Sequence, residues 1–470
     1  MSLLKSRTPR AREKRIDTLN AWLGAAESTL HQFSGKEPEQ RIRAFSQSAQ
    51  DDLICALRLL GGVRNSVTIV HAPRGCAAAS LWRHLQTGGG RWVVTNLDQR
   101  DTIMGADRKL RQAVTSAYRR YRPEVLFIVA GPVAAINNDD IQAVVDELRD
   151  ELGVPIVPVF TSGFASRSAV SGYDIALHAI MKHLVGSGGE IARNEAVNLL
   201  SGAEGVADRL EAVRLLASLG IELNVLPDAA GVENFRQAAG ARLSFSLDQD
   251  ADNYLGIVLE EEYDVTAIEQ PRPVGLRATG RWLLAAGEAL GIESAARALH
   301  ERESERVRRE LGDFTLEGRR VYLALSPSTA FAVAELIEEL GGELAGLSVS
   351  HLGRLQTAQL ESLSSRHPAL QIHVADGQPF EELNIVRRIA PDLYIGDGAH
   401  LGQLSRLGVP VVSLENSSLL GYEGALSVAR RISAALKNRA FTEALAVAGT
   451  PYREGWLKRS PNWHIKKEVK

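Results

Sequence analysis

Only two cysteines, Cys55 and Cys76, occur in a chain of 470 residues. That is too few for a disulfide framework and fits a reducing compartment. Both precede residue 77, so thiolate ligation of a soft metal is confined to the region around residues 50–80 or to another chain. Long apolar runs are missing as well: none approaches the ~20 residues that span a bilayer, and Met1-Ser2-Leu3-Leu4-Lys5 carries no signal-peptide core. A cytoplasmic protein with no membrane partner is expected. The formal net charge of -3 lacks the basic excess that nucleic-acid binding requires, so no nucleic-acid partner is expected. There is no Walker-type Gly-x4-Gly-Lys-Ser/Thr loop, which argues against nucleotide hydrolysis by this chain. His-Glu-x-x-His, Cys-x-x-Cys and Gly-x-Ser-x-Gly patterns are also missing, which lowers the zinc and hydrolase readings. Gly88-Gly89-Gly90 precedes a strand instead of opening a helix and reads as a turn.

What is present is an ordinary globular composition, 45% hydrophobic and 24% charged, in a chain long enough for roughly two to four domains. Short apolar, β-branched runs alternate with helical stretches of domain-typical length, the pattern of βαβ crossovers and parallel sheets. Strands are predicted near Val67–Val70, Trp92–Thr95, Val125–Val129 and Ile156–Phe160, with helices at Asp107–Tyr121 and Asp139–Leu152 between them. The fold class is therefore α/β, with three doubly wound Rossmann-like domains and long helices linking the second to the third. The expected boundaries are 1–45 for an N-terminal arm and helix, 46–195 for the first α/β domain and 196–315 for the second with its long helices. Residues 316–435 form the third, and 436–470 a C-terminal helix with a basic and aromatic tail. Lys5, Arg7, Arg10, Arg12, Lys14 and Arg15 make the first residues read as a solvated arm, followed by a helix from Ile16 to Leu30. Trp456 and Trp463 among lysines suit docking on a neighbouring subunit or an exposed tail.

Chemistry is expected where the first strand ends. Val67–Val70 stops at His71-Ala72-Pro73-Arg74-Gly75-Cys76, and in open α/β sheets sites lie beyond the carboxyl ends of strands. A thiol delivered there on a turn is a candidate ligand, although a lone cysteine is more often a core residue. His178 and His183 read as core or surface fillers, and Asp139-Asp140 first as a helix N-cap pair and second as a charged site.

His71-Ala72-Pro73-Arg74-Gly75-Cys76 resembles the His-Gly-Pro-x-Gly-Cys segment of nitrogenase component 1 subunits. Five further places agree in order. Thr102 to Leu110 is similar to the family's Phe-Gly-Gly-x-x-Lys-Leu helix start, which faces a docking reductase. Ala130-Gly131-Pro132 with Asn138-Asp139-Asp140 resembles Thr-Cys-Pro…Gly-Asp-Asp. Ser162-Gly163-Phe164 with Gly172-Tyr173-Asp174 is like the loop after the next strand. Pro273-Val274-Gly275-Leu276 with Thr279 is like the entry to the long helices, and Asp397-Gly398 with Gly421-Tyr422-Glu423-Gly424-Ala425 resembles the last domain.

The resemblance implies an iron–sulfur cluster shared with a partner subunit, either [8Fe-8S] P-cluster-like or [4Fe-4S], and an α2β2 heterotetramer with an α-type chain. It also implies electron supply by an ATP-dependent iron–sulfur reductase docking near Met104 and Gly105. Family chains carry three cysteines at the cluster; here Cys76 keeps one position, Gly131 stands where another falls, and the third falls near Gln50-Asp51. Either Cys55, one turn further on, or the carboxylate of Asp51 stands in, so the metal-ligand candidates are Cys76, Cys55 and Asp51. A shared cluster needs fewer thiolates from one side. No cysteine follows residue 76 and Val411–Gly421 has no histidine, so the resemblance points to a β-type subunit without a catalytic cofactor. Among family members a methylthio-alkane reductase, cleaving carbon–sulfur bonds, is the first expectation. A scaffold for cofactor assembly, or a nitrogenase or tetrapyrrole reductase β subunit, is the alternative.

Overall fold

A computed structural model describes residues 2–5, 9–33, 41–43, 51–78, 90–163, 168–187, 191–202, 204–398, 400–446, 455, 458 and 465–467. Arg7, Gly88, Gly89, Phe164, Trp456 and Trp463 lie outside the described residues. The contacts group into two compact units. One comprises Met1–Ile16, Gln50–Glu204 and Ile221–Glu269; the other comprises Asp17–Ala49, Gly205–Gly220 and Gln270–Lys470.

The first unit contains two four-stranded parallel sheets. In one, the order is Trp92–Val94, Ser66–His71, Val125–Ala130, Ile156–Val159. The two central strands are buried at every position, as expected where helices cover both faces of a parallel sheet. Their register pairs Ser66 with Val125 and His71 with Ala130, so both chains leave the sheet at the same level. In the other sheet the order is Ala267–Ile268, Leu243–Ser246, Val197–Ser201, Leu223–Pro227. Helix Asp52–Gly61 packs on helix Ser171–His183. The latter is buried from Ser171 through Met181, the all-round burial of a helix inside a core.

The second unit is built on a six-stranded sheet ordered Ala21–Ala25, Gln371–Ala375, Glu343–Val349, Arg320–Ala324, Leu393–Gly396, Val411–Ser413. All neighbours are parallel except the first pair. The long helices Gly275–Leu290 and Glu293–Leu311 break at Gly291, whose φ of +72° suits glycine. A buried polar row crosses this sheet: Tyr322 Oη lies 2.7 Å from Ser348 Oγ, which is 3.0 Å from His373 Nδ1, and His373 Nε2 is 2.8 Å from Glu381 Oε2. Each member thus finds its partner inside the core.

The α/β class with parallel sheets is as expected. Two details at the N-terminus differ. No helix runs from Ile16 to Leu30: Arg15–Asp17 is a short 3-10 turn, Ala21–Ala25 is a strand, antiparallel to Gln371–Ala375, and only Ala26–His31 is α-helical. An open sheet edge presents unpaired backbone groups, and pairing with them overrides weak helix propensity around Trp22 and Gly24. Nor is the basic stretch uniformly solvated. Arg15 is buried, with Nε 2.7 Å from Asp174 Oδ2 and Nη2 2.6 Å from the Asp250 carbonyl. Further on, the expected tail contributes one short strand, Ile465–Lys467, paired with Arg41–Arg43. Among the described residues no helix is long and apolar enough to cross a membrane.

Candidate functional site

The first sheet of the first unit delivers three chain segments to one end. Beyond Ser66–His71 the chain turns through Ala72 and Pro73 into residues 74–78, which are helical and carry Cys76. Cys76 is half-buried and packs on the edge of the unit's apolar core. Cys55, by contrast, sits inside that core, 4% exposed on helix Asp52–Gly61. Asp51 caps this helix, accepting from Ile54 N at 3.3 Å, as Asp does at an N-cap. The next residue does something else. Asp52 turns its buried carboxylate to the loop after Ile156–Val159 and accepts from Gly163 N at 2.7 Å and Ser162 N at 3.2 Å. Arg12 completes the knot, 3.8 Å from Asp52 Oδ2 and 2.9 Å from Ser162 Oγ.

His71 fixes the turn before Cys76. Its Nδ1 lies 3.2 Å from Thr95 Oγ1 and its Nε2 3.1 Å from Asp139 Oδ2. Thr95 in turn accepts from Ala72 N at 3.0 Å. Burial draws the imidazole below its ordinary value, opposed by the Asp139 charge, and the same burial lifts Asp139 above its own. The expected N-cap pair is therefore divided: Asp140 caps helix Ile141–Leu152 through Ala143 N, while Asp139 holds His71. The first reading of the pair misses this role, and the second, a charged site, is nearer to it; the signal is two adjacent acids where one cap suffices. His178, read as a filler, is buried against Tyr254, with Nδ1 2.7 Å from its hydroxyl.

The third segment is Gly131-Pro132. Gly131 N donates to the His71 carbonyl at 3.0 Å, and a Cβ built on Gly163 would come within 2.9 Å of Pro132 Cγ and 4.0 Å of Asp51 Oδ2. Asp51, Gly131 and the turn leading to Cys76 are thus brought to one end of the sheet, with Cys55 one helical turn behind. Among the described residues no three of His, Cys, Asp and Glu are grouped to hold a metal ion. The donor set among the described residues, one half-buried thiol and a carboxylate at the lip, fits part of a shared cluster and is too small to hold a cluster unaided.

Met104 and Gly105 fall elsewhere on the unit, at the end of helix Gln99–Met104, where Gly105 has φ +97°. Met104 is 76% and Ile103 79% exposed, and Ile136, on the adjacent helix Pro132–Asn137, is 69% exposed. Asn137 Nδ2 donates to the Thr102 carbonyl at 3.2 Å and ties the two helices together. Exposed large apolar side chains gathered in this way mark interaction surfaces.

Parallel sheets with a strand-end thiol and an exposed apolar helix end define a Rossmann-type α/β chain. Residues 52–437 match the family of nitrogenase component 1 type oxidoreductases. The chain belongs to that family. It is 25% identical over 407 residues to the nitrogenase molybdenum-iron protein alpha chain of Methanothermobacter marburgensis, covering 81% of this chain and 85% of that protein. To the nitrogenase iron-molybdenum cofactor biosynthesis protein NifE of a Nostoc species it is 24% identical over 432 residues, covering 87% and 89%. The solved structure titled nitrogenase Cp1 at pH 5 superposes with a TM-score of 0.76 at 17% identity, over 96% of this chain and 99% of that one, which shows the shared fold.

Proposed function

We propose that this chain is the scaffold-type subunit of a nitrogenase-like two-chain complex, in which it and a partner jointly hold an iron–sulfur cluster while a metal cofactor is assembled. The observation that carries this reading is the likeness to relatives named for cofactor biosynthesis, over 80–87% of this chain and 80–89% of theirs. Cys76 at the strand end has no cysteine after it in the sequence, so this chain has no thiol with which to anchor a second metal centre in its later domains. The cluster, when bound, supplies one-electron transfer. Cys76 provides the thiolate, with Asp51 or Cys55 as its second donor. His71 and Thr95 hold the turn that aims Cys76, and Ile103, Met104 and Gly105 offer the surface on which a reductase docks.

The same lack of later cysteine, together with Val411–Gly421 having no histidine, favours a second reading: a β-type subunit of a reductase whose partner carries the catalytic cofactor. Of the two curated relatives named above, one is an alpha chain and the other a NifE protein. Methylthio-alkane reduction finds no support among them. Turnover by the purified complex with reductase and ATP would favour the enzyme; release of a metal cofactor to an acceptor would favour the scaffold.

Purification with the partner chain under anaerobic conditions, followed by iron and sulfide analysis, tests the shared cluster. Cys76→Ala is expected to remove at least half of the interfacial iron; unchanged iron would exclude Cys76 as a ligand. Asp51→Ala and Cys55→Ala, compared in the same assay, identify the second donor. At the docking surface, Met104→Asp is expected to weaken reductase binding at least about tenfold, since burying a charge at the centre of an apolar contact costs more than about 1.4 kcal/mol. The unfolding midpoint should not move, because the side chain is exposed.

A further inference from the structure

The geometry points to Ala72 as the residue that decides which metal-holding positions this chain presents, through a matched pair with Gly131. This deepens the shared-cluster reading and rests on it for its functional meaning, but its steric part stands alone. Ala72 is fully buried. A Cβ built on Gly131 lies 2.6 Å from the Ala72 methyl and 3.2 Å from the His71 carbonyl oxygen, where ordinary carbon contacts need about 3.5–4.0 Å. Neither partner has room to retreat. The strands ending in His71 and Ala130 are hydrogen-bonded neighbours in fixed register, Gly131 N is bonded to the His71 carbonyl, and Ala72 N is bonded to Thr95.

Glycine at 131 is not required by the backbone. Its φ of -80° and ψ of 171° are open to any residue. What chiefly excludes a side chain there is the methyl of Ala72, with the His71 carbonyl oxygen a lesser contact. One methyl-sized space exists between the two strand ends, and in this chain residue 72 fills it from one strand end, closing it to residue 131 on the other. The sequence pattern has the matching form: alanine stands where the resembling segment has glycine, and glycine where it has cysteine. The third thiolate position is therefore closed by packing as well as empty of sulfur, and a cysteine restored at 131 cannot be seated until residue 72 gives up its methyl.

A double-mutant cycle on the full chain tests the pair without any metal. Gly131→Ala is expected to lower the unfolding midpoint by several degrees, and the added change Ala72→Gly to recover most of that loss; independent, additive effects would overturn the pairing. For ligation, Gly131→Cys and the double variant Ala72→Gly/Gly131→Cys are purified with the partner chain, and the loss of iron to an excess of ferrous chelator is followed. Slower loss in the double variant than in wild type, with no such gain in the single variant, is the expected result. Equal rates in the double variant and wild type would show that position 131 does not face the metal. A wild-type complex free of iron would instead refute the shared-cluster reading, and the stability cycle would still decide the pair.

Discussion

Arg15→Ala is expected to lower the stability of the protein by about 3–5 kcal/mol, the range seen when one partner of a buried ion pair is removed. The guanidinium donates from Nε and Nη2 to the two carboxylate oxygens of Asp174, at 2.7 and 3.2 Å, and from Nη1 to Asp250 Oδ1 at 3.3 Å. Both side chains are almost wholly buried, so truncation leaves two carboxylates in a medium that cannot solvate them. Burial already raises the Asp174 carboxyl above its ordinary value, with Arg15 as the principal opposing influence. Without Arg15 the rise is larger. A carboxyl raised in the folded state binds its proton more tightly there than when unfolded, so its contribution is intact at low pH and lost as pH rises through the folded value. The deficit of Arg15→Ala relative to wild type should therefore be smaller near pH 4 than near pH 8, as read from denaturant midpoints. A pH-independent deficit would mean that packing, not charge, accounts for the loss. Arg15→Lys keeps the charge without the two-pronged geometry and should fall between.

Arg15 also shows where the sequence stops being legible. Within a run of basic residues it carries no mark that separates it from Arg10, which is exposed beside Glu261; burial is decided by Asp174 and Asp250, far along the chain. The strands of the first sheet were readable because apolar, β-branched runs such as Val67–Val70 have few alternatives once both faces are covered. Ala21–Ala25 was not, since its state depends on an edge provided by Gln371–Ala375. At the site, Cys76 was legible from its place after a strand. The buried position of Cys55 follows from packing between helices, which periodicity alone does not rank, and the work of Asp52 depends on loop amides at 162 and 163. The closure of residue 131 by Ala72 is not legible in the sequence, because a separation of 2.6 Å between two strand ends has no sequence signature.

Gly172→Ala carries the other large expectation, a loss of about 3 kcal/mol or more, at or above the upper end for overpacking a core. Gly172 lies at the start of helix Ser171–His183, and a Cβ there would fall 1.9 Å from the Asp52 carbonyl oxygen and 2.9 Å from Ala56 N. Both contacts are backbone atoms of the helix that bears Cys55, so no side-chain rotation relieves them; one helix must move off the other. That movement would carry Asp52 away from the amides of Ser162 and Gly163, and Asp51 away from the lip of the site. A single methyl at this helix contact should then lower both the unfolding midpoint and the interfacial iron. Gly402→Ala, where a Cβ meets nothing within 4 Å, serves as the reference and should leave both unchanged. If Gly172→Ala lost stability but kept its iron, the helix bearing Asp51 and Cys55 would not be a source of ligands, and Cys76 would be the only donor this chain provides.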